Sequence, residues 1–152
     1  MEIRDFLPSD APALGTAVAA LPLLQRYGRS AEDLARDWAR ARERGESLLV
    51  CEDAGVALGV AWFTRAGTLA RGGYLRLLAV AAPAQDRGIG RALLAAYEAA
   101  VAAMSRDTFL LVSDFNVTAQ RFYERHGYHR VGTLPGLVLP DVDELLYWKR
   151  LR

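Results

Sequence analysis

Hydrophobic positions in this chain recur with two different periods, and each change of period marks a boundary between strand and helix. Ile3 to Leu7 reads as a first strand ended by Pro8, after which Ser9 or Asp10 caps a short helix running to about Ala20 and stopped by Pro22. Leu23 to Arg29 reads as an ordered loop, and Ser30-Ala31-Glu32-Asp33 opens a second helix with acids in its first turn. Leu34, Trp38 and Ala41 follow at helical spacing until Gly45 supplies a stop. Two strands, Ser47 to Glu52 and Val56 to Thr64, flank Asp53-Ala54-Gly55 as a hairpin. Turns at Ala66-Gly67 and Arg71-Gly72-Gly73 lead into a strand from Tyr74 to Val80, terminated by Pro83. Ile89, Leu93, Leu94, Tyr97, Val101 and Met104 then form one stripe of a long amphipathic helix.

The run Thr108 to Val112 is apolar without alternation, which predicts a strand buried on both faces near the middle of a sheet. Asn116 begins another helix that Gly127 ends, and two last strands, Tyr128 to Leu134 and Glu144 to Lys149, flank a Pro135-Gly136 turn. Strand, two helices, three strands, helix, strand, helix, two strands is the order of an α/β (α+β) protein with a mixed sheet and helices on both faces.

Composition narrows the function. A chain of 152 residues suits one domain, residues 1–152, with a core that needs no metal or disulfide staple. A formal net charge of +1, with both signs interspersed, gives no footprint for nucleic acid or an anionic membrane and points to a small-molecule partner. The single cysteine, Cys51, sits in the apolar run Leu48-Leu49-Val50-Cys51 and reads as strand filler. No His or Cys cluster has ligand spacing, so no metal is expected. The N-terminus lacks the basic start and apolar core of a secretion signal, and no apolar run approaches the length of about 20 residues that spans a bilayer. A cytoplasmic location is expected.

Chemistry gathers after the strand Leu75-Arg76-Leu77-Leu78-Ala79-Val80, in the loop Gln85-Asp86-Arg87-Gly88-Ile89-Gly90-Arg91. Gly88 and Gly90 let backbone N–H groups approach an anion, the helix N-terminus adds its partial positive charge, and Arg87 and Arg91 add full charges. There is no Gly-Lys-Ser/Thr of a nucleoside triphosphate loop, and Leu93 occupies the position of the third glycine of a dinucleotide fingerprint. Downstream, Asn116 and Tyr123 stand seven residues apart, so two helical turns put them on one face, where both can touch one ligand. Asn116 can equally be an N-cap, and Phe122 and Tyr123 core aromatics.

Two phrases carry a resemblance. Gln85, Gly88 and Gly90 match Gln/Arg-x-x-Gly-x-Gly/Ala, and Asn116 to Tyr128 match Asn-x-x-Ala-x-x-Phe-Tyr-x-x-x-Gly-Tyr. In that order and spacing they resemble the GCN5-related N-acetyltransferase (GNAT) family, strongly from Leu75 to Tyr128 and weakly before Gly45. The resemblance implies a central, mostly antiparallel sheet of about seven strands and acetyl-CoA as co-substrate. It implies that Leu78, Ala79 and Val80 offer backbone groups to the thioester carbonyl and pantetheine, where a fixed N–H favours developing negative charge. It assigns the pyrophosphate to Gln85, Asp86, Arg87, Gly88, Ile89, Gly90 and Arg91, pantetheine or the phosphate region to Asn116, and the thioester sulfur to the Tyr123 hydroxyl. A phenol, with a reference pKa of about 10, is a protonated donor at neutral pH, so Tyr123 is the candidate general acid. Tyr128 reads as packing.

The acceptor amine must also lose a proton. Some relatives carry a glutamate on the strand before the phosphate loop, whereas this chain has Arg76, which cannot act as a base. Asp114, beyond the strand ending at Val112, is the candidate for binding or deprotonating the ammonium, with Glu144 the alternative. Tyr27, Gln25, Trp38, Trp62 and Tyr74 are candidates to line the acceptor pocket, and Arg76 could meet an acceptor carboxylate or phosphate. His126 and His129 read as surface residues. The implied activity is acetyl transfer from acetyl-CoA to a primary amine of a small, amino-acid-like acceptor by direct attack in a ternary complex. Acetylation of a protein N-terminus or lysine and a non-catalytic acyl-CoA sensor are the alternatives. The apolar Leu137-Val138-Leu139 segment either covers a second subunit, giving a homodimer, or folds over its own sheet edge.

Overall fold

A computed structural model describes residues 1–152 as β1 (Glu2–Asp5), α1 (Ala11–Ala19), α2 (Pro22–Arg26), α3 (Ala31–Glu43), β2 (Ser47–Asp53) and β3 (Val56–Thr68), followed by β4 (Gly72–Val80), α4 (Ile89–Ala102), β5 (Asp107–Ser113), α5 (Val117–Arg125), β6 (His129–Leu134) and β7 (Glu144–Arg150). The strands join into one sheet in the order β1-β2-β3-β4-β5-β7-β6. Only β4 and β5 run parallel, joined by the α4 crossover; every other neighbour is antiparallel. This is the mixed α+β sheet expected from the element order.

Each face has its own core. Phe6, Leu14, Val18, Leu34 and Trp38 pack α1 and α3 against Val50, Val60 and Trp62. Ile89, Leu93, Leu94, Tyr97 and Val101 pack α4 against the other face, beside Tyr123 of α5, with Phe63, Leu75, Leu110 and Tyr147 beneath them. Thr108 to Leu110 and Val112 of β5 are buried, as its unbroken apolar run predicts.

Local chemistry explains most boundaries. Ser30 accepts from the Asp33 N–H at 3.0 Å and the Asp33 carboxylate accepts from the Ser30 N–H at 3.0 Å, a reciprocal box that starts α3. Pro22 stops α1 and also opens α2, so the expected loop from Leu23 is helical as far as Arg26. Asp10 does not cap α1: its carboxylate accepts from the Leu7 N–H at 2.8 Å and from Arg4 at 2.8 and 2.9 Å. The β3–β4 hairpin turns at Leu69 and Ala70, both at positive φ, rather than at Ala66-Gly67. Met104 falls past the end of α4 and is exposed, off the buried stripe. Between β6 and β7, Leu137 and Val138 lie on the surface instead of folding over the sheet edge. No helix is long and apolar enough to cross a membrane.

Candidate active site

The site opens where β4 and β5 part. Their pairing runs from Gly72 with Asp107 to Leu75 with Leu110 and goes no further. The β5-facing edge of β4 beyond Leu75 is therefore free of strand partners. Against β3 the register also breaks, because Trp62 pairs with Leu77 and Phe63 with Leu75, leaving Arg76 as an extra residue. That bulge resets the alternation. Leu78 and Val80 join Leu75 on the α4–α5 face, while Leu77 and Ala79 join the α1–α3 core.

Facing that edge is a cleft of about 390 Å³ walled by Leu78 and Val80 of β4, the loop into α4 and one side of α5. Two left-handed residues shape the loop, Asp86 at φ 63° and Gly88 at φ 80°, the latter without strain because it has no Cβ. The first helical bond of α4 runs from the Ala92 N–H to the Gly88 carbonyl at 3.0 Å, so the N–H groups of Ile89, Gly90 and Arg91 have no helical acceptor. A Cβ on Gly90 would enter the cleft 3.7 Å from Phe122 and 3.9 Å from Val80, so the space is a cradle that any side chain there would fill. With Arg91 and Arg125 among the lining residues, the wall combines open amides, a helix N-terminus and guanidinium groups, a donor set that fits a diphosphate.

Of the residues expected to bind the cofactor, Leu78, Val80, Gln85, Asp86, Gly88, Ile89, Gly90, Arg91, Asn116 and Tyr123 line this cleft. Arg87 does not. Its guanidinium donates to Asp53 at 2.6 Å, and Asp53 also pairs with the Met1 amino group at 3.3 Å, so Arg87 ties the loop to the β2–β3 hairpin. Ala79 turns its side chain into the opposite core, leaving only its backbone to serve the site. Gln85 donates its amide to the Val80 carbonyl at 3.2 Å and so braces the loop on the end of β4. Ala84, Thr118, Ala119, Phe122 and Arg125 also line the cleft. On α5 the helical spacing is the signal: Ala119 follows the stripe of Asn116 and Tyr123, and Thr118, Phe122 and Arg125 recur at i, i+4 and i+7 on the adjoining stripe.

Asn116 is both cap and lining. Its side-chain oxygen accepts from the Ala119 N–H at 3.2 Å, and the residue borders the cleft together with a second, smaller cavity of about 80 Å³. Leu78, Asn116, Ala119 and Tyr123 are common to the two spaces. The smaller one lies in the gap between β4 and β5, with Leu75, Arg76, Leu111 and Ser113 around it and Leu23 of α2 on its far side. Burial raises the pKa of the Tyr123 hydroxyl, with Tyr97 a lesser contributor, so it stays protonated at neutral pH.

Beyond the gap, the expected acceptor residues are already engaged. Tyr27, just after α2, hydrogen bonds to Ser113 Oγ at 2.6 Å and donates to Glu144. Burial, followed by its bond to Glu144, pushes the Tyr27 hydroxyl up to about 12. Arg76 lies over the Trp62 ring at 4.0 Å and donates one nitrogen to Glu46 at 3.2 Å. Asp114 is exposed, and its carboxylate accepts from the Asp143 N–H at 3.0 Å, so it latches the turn after β5 to the start of β7 and lines neither space. Trp38 is fully buried in the α1–α3 core. His126 is half-buried on the end of α5, where its Nδ1 bonds the Phe122 carbonyl at 2.7 Å and its ring lies 4.4 Å from that of Phe122.

The family model described as the Acetyltransferase (GNAT) family matches residues 15–128, which include α4, the loop before it and α5. The chain belongs to this family. A GNAT member is an acetyl-CoA-dependent N-acetyltransferase, and both motifs that resemble the family frame the cleft described above. Solved structures agree on the fold. A GNAT-family acetyltransferase from Desulfovibrio desulfuricans superposes with a TM-score of 0.81 at 24% identity, covering 99% of both chains. Ribosomal-protein-alanine N-acetyltransferase from Brucella melitensis gives 0.78 at 22% identity, again over 99% of each. An aminoglycoside 6'-N-acetyltransferase complexed with coenzyme A gives 0.79 at 18% identity, covering 100% of this chain and 98% of the other. No curated protein matches the chain significantly.

Proposed function

We propose that this GNAT enzyme acetylates a primary amine of a small, amino-acid-like molecule, the amine attacking directly while both substrates are bound. The observation that carries the reading is the junction of the two spaces at Leu78, Asn116, Ala119 and Tyr123. An acyl donor laid along the cleft and an amine entering past Leu23 meet there. Bound acetyl-CoA would supply the activated acetyl group and a thiolate leaving group. Around it, the N–H groups of Ile89, Gly90 and Arg91 would hold the diphosphate, with Arg91 and Arg125 neutralising charge. Asn116 would orient the pantetheine arm, and the open edge of β4 near Leu78 would give a backbone donor to the carbonyl oxygen.

Tyr123 would assist departure of the thiolate by donating its hydroxyl proton, a role supported by its position at the junction of the two spaces. Cys51 lies in the core and borders neither space, which supports direct transfer over an acyl-enzyme. A small acceptor is favoured because Tyr27 is pinned to β5 and β7, leaving a narrow approach beside Leu23.

The test is thiol release from acetyl-CoA with pooled amines, amino acids and peptides, with coenzyme A binding followed by calorimetry. Amine-dependent release from the small-molecule pools supports the reading. Release with peptides alone moves the acceptor to protein, and binding with no release from any pool points to a sensor.

A further inference from the structure

Two carboxylates are buried in this chain, Asp107 and Glu144, and they lie at opposite ends of β5. Asp107 is held by Trp148 and Arg150, far from the cleft. Glu144 is 5% exposed and pairs in register with Ser113, the last residue of β5. Ser113 is also 5% exposed and borders the smaller cavity beside Asn116 and Tyr123. Its carbonyl takes the Asn116 N–H at 3.0 Å and the Gln120 amide at 3.2 Å, which fixes its backbone, and Tyr27 bridges its hydroxyl to Glu144.

Hydrogen-bond chemistry orders this chain in one sense. A carboxylate only accepts, so Tyr27 donates to Glu144 and its oxygen is left to accept. Ser113 then donates to Tyr27, and its own lone pairs remain to accept, in a residue that borders the cavity. Three groups from three separate elements are thus aligned to receive a proton at Ser113 and deliver it to Glu144. The Tyr27 hydroxyl, raised to about 12, passes a proton on rather than holding an ionised state.

We propose that Ser113, Tyr27 and Glu144 form the proton relay that deprotonates the acceptor ammonium, with Ser113 its entry and Glu144 its terminus. The proposal rests on the acetyl-transfer reading above and names its base. In the step, Ser113 Oγ takes one proton from the ammonium, Tyr27 takes the Ser113 proton, and Glu144 takes that of Tyr27. The freed nitrogen lone pair forms the C–N bond as the C–S bond breaks. Tyr123 gives its proton to the departing thiolate and recovers one from the acetylated nitrogen. Two protons leave the nitrogen, one to the thiol and one to Glu144, which returns it to solvent. The charged and titratable groups around the relay are Tyr74 and Arg76 on β4, Asp114 and Asp143 at the ends of β5 and β7, and Arg26, which pairs with Asp141 at 3.0 Å.

The experiment compares wild type with Tyr27→Phe, Ser113→Ala and Glu144→Gln, using the first alkylamine that wild type acetylates. Kinetics are taken at about pH 6.5 and about pH 9, with coenzyme A binding measured in parallel. Tyr27→Phe removes one oxygen and leaves both ends in place, so it reads the relay even where Glu144→Gln fails to fold. Expected is a fall in kcat/KM of roughly a hundredfold at the lower pH, shrinking as free amine accumulates at the higher one, with coenzyme A affinity unchanged. Equal loss at both pH values, or no loss, overturns the relay while wild-type turnover upholds acetyl transfer. A wild type that binds coenzyme A yet acetylates no amine overturns the underlying reading and the relay with it.

Discussion

Leu75 and Leu78 point to the same face of the sheet although three positions separate them, because Arg76 is an extra residue in β4. Plain alternation would have put Leu77 with Leu75 and turned Leu78 away from the cleft. The same short segment is where β5 leaves β4. One irregularity thus coincides with both the opening of the gap and the presentation of Leu78 to the cleft and to the smaller cavity.

Tyr123→Phe keeps the ring and removes only the hydroxyl. The expected result is a fall in kcat of about 10²-fold or more with coenzyme A affinity within about twofold, since general-acid assistance is lost but packing is not. Steady-state kinetics with calorimetric binding check it. A loss confined to affinity would mean that the hydroxyl holds the coenzyme instead.

Gly90→Leu should fill the cradle without unfolding the chain. Its Cβ would meet Phe122 only at ordinary contact distance, so the fold is spared while coenzyme A binding weakens roughly tenfold or more, about 1.4 kcal/mol. Thermal melts and binding isotherms separate the two effects. An unchanged affinity would place the diphosphate elsewhere.

Arginines near the loop should differ in effect. Arg87 is already paired with Asp53, so Arg87→Ala should change coenzyme A affinity by no more than about threefold. Arg125→Ala, which removes a cation from the cleft itself, should cost about 1–2 kcal/mol of binding, more at low salt. Titrations at two ionic strengths decide it; the reverse ranking would restore Arg87 to the site.

Gly72→Ala tests the β4–β5 junction apart from the chemistry. An added Cβ would lie 2.0 Å from the Asp107 carbonyl oxygen, which only separation of the strands can relieve. A loss of about 1–3 kcal/mol is expected, read as a lower Tm. Coenzyme A binding by the folded fraction should persist, because the cleft lies at the other end of β4.

Acid should weaken the fold through Asp107. The Trp148 indole N–H, 2.9 Å away, holds this carboxyl below the usual aspartate range, with Arg150 and Arg71 adding to the effect against the opposing cost of burial. A depressed folded pKa means that the unfolded chain takes up the proton first. The stabilisation is therefore complete above the ordinary value of about 3.9 and is lost as pH falls through the lower folded value. Urea melts from about pH 6 to about pH 2 should show a flatter acid limb in Asp107→Asn than in wild type. Parallel curves would assign acid sensitivity to other carboxylates.

Periodicity and capping in the sequence determined the strands, the long helices, the Ser30 box and the central place of β5, because each depends on neighbours a few residues apart. The glycine loop and the Asn116 to Tyr128 phrase were legible for the same reason, as was the shared face of Asn116 and Tyr123. Three-dimensional pairing decided the rest. Arg87 reads as a phosphate ligand until Asp53, 34 positions earlier in the chain, is found beside it. Asp114 reads as near the acceptor until the fold sets its carboxylate on the Asp143 N–H and outside both spaces, and Glu144 is joined to Ser113 only because Tyr27 reaches it from 117 positions away. A side chain's charge and reach are written in its own residue type, but the partner that uses them is set by where the sheet brings distant segments together.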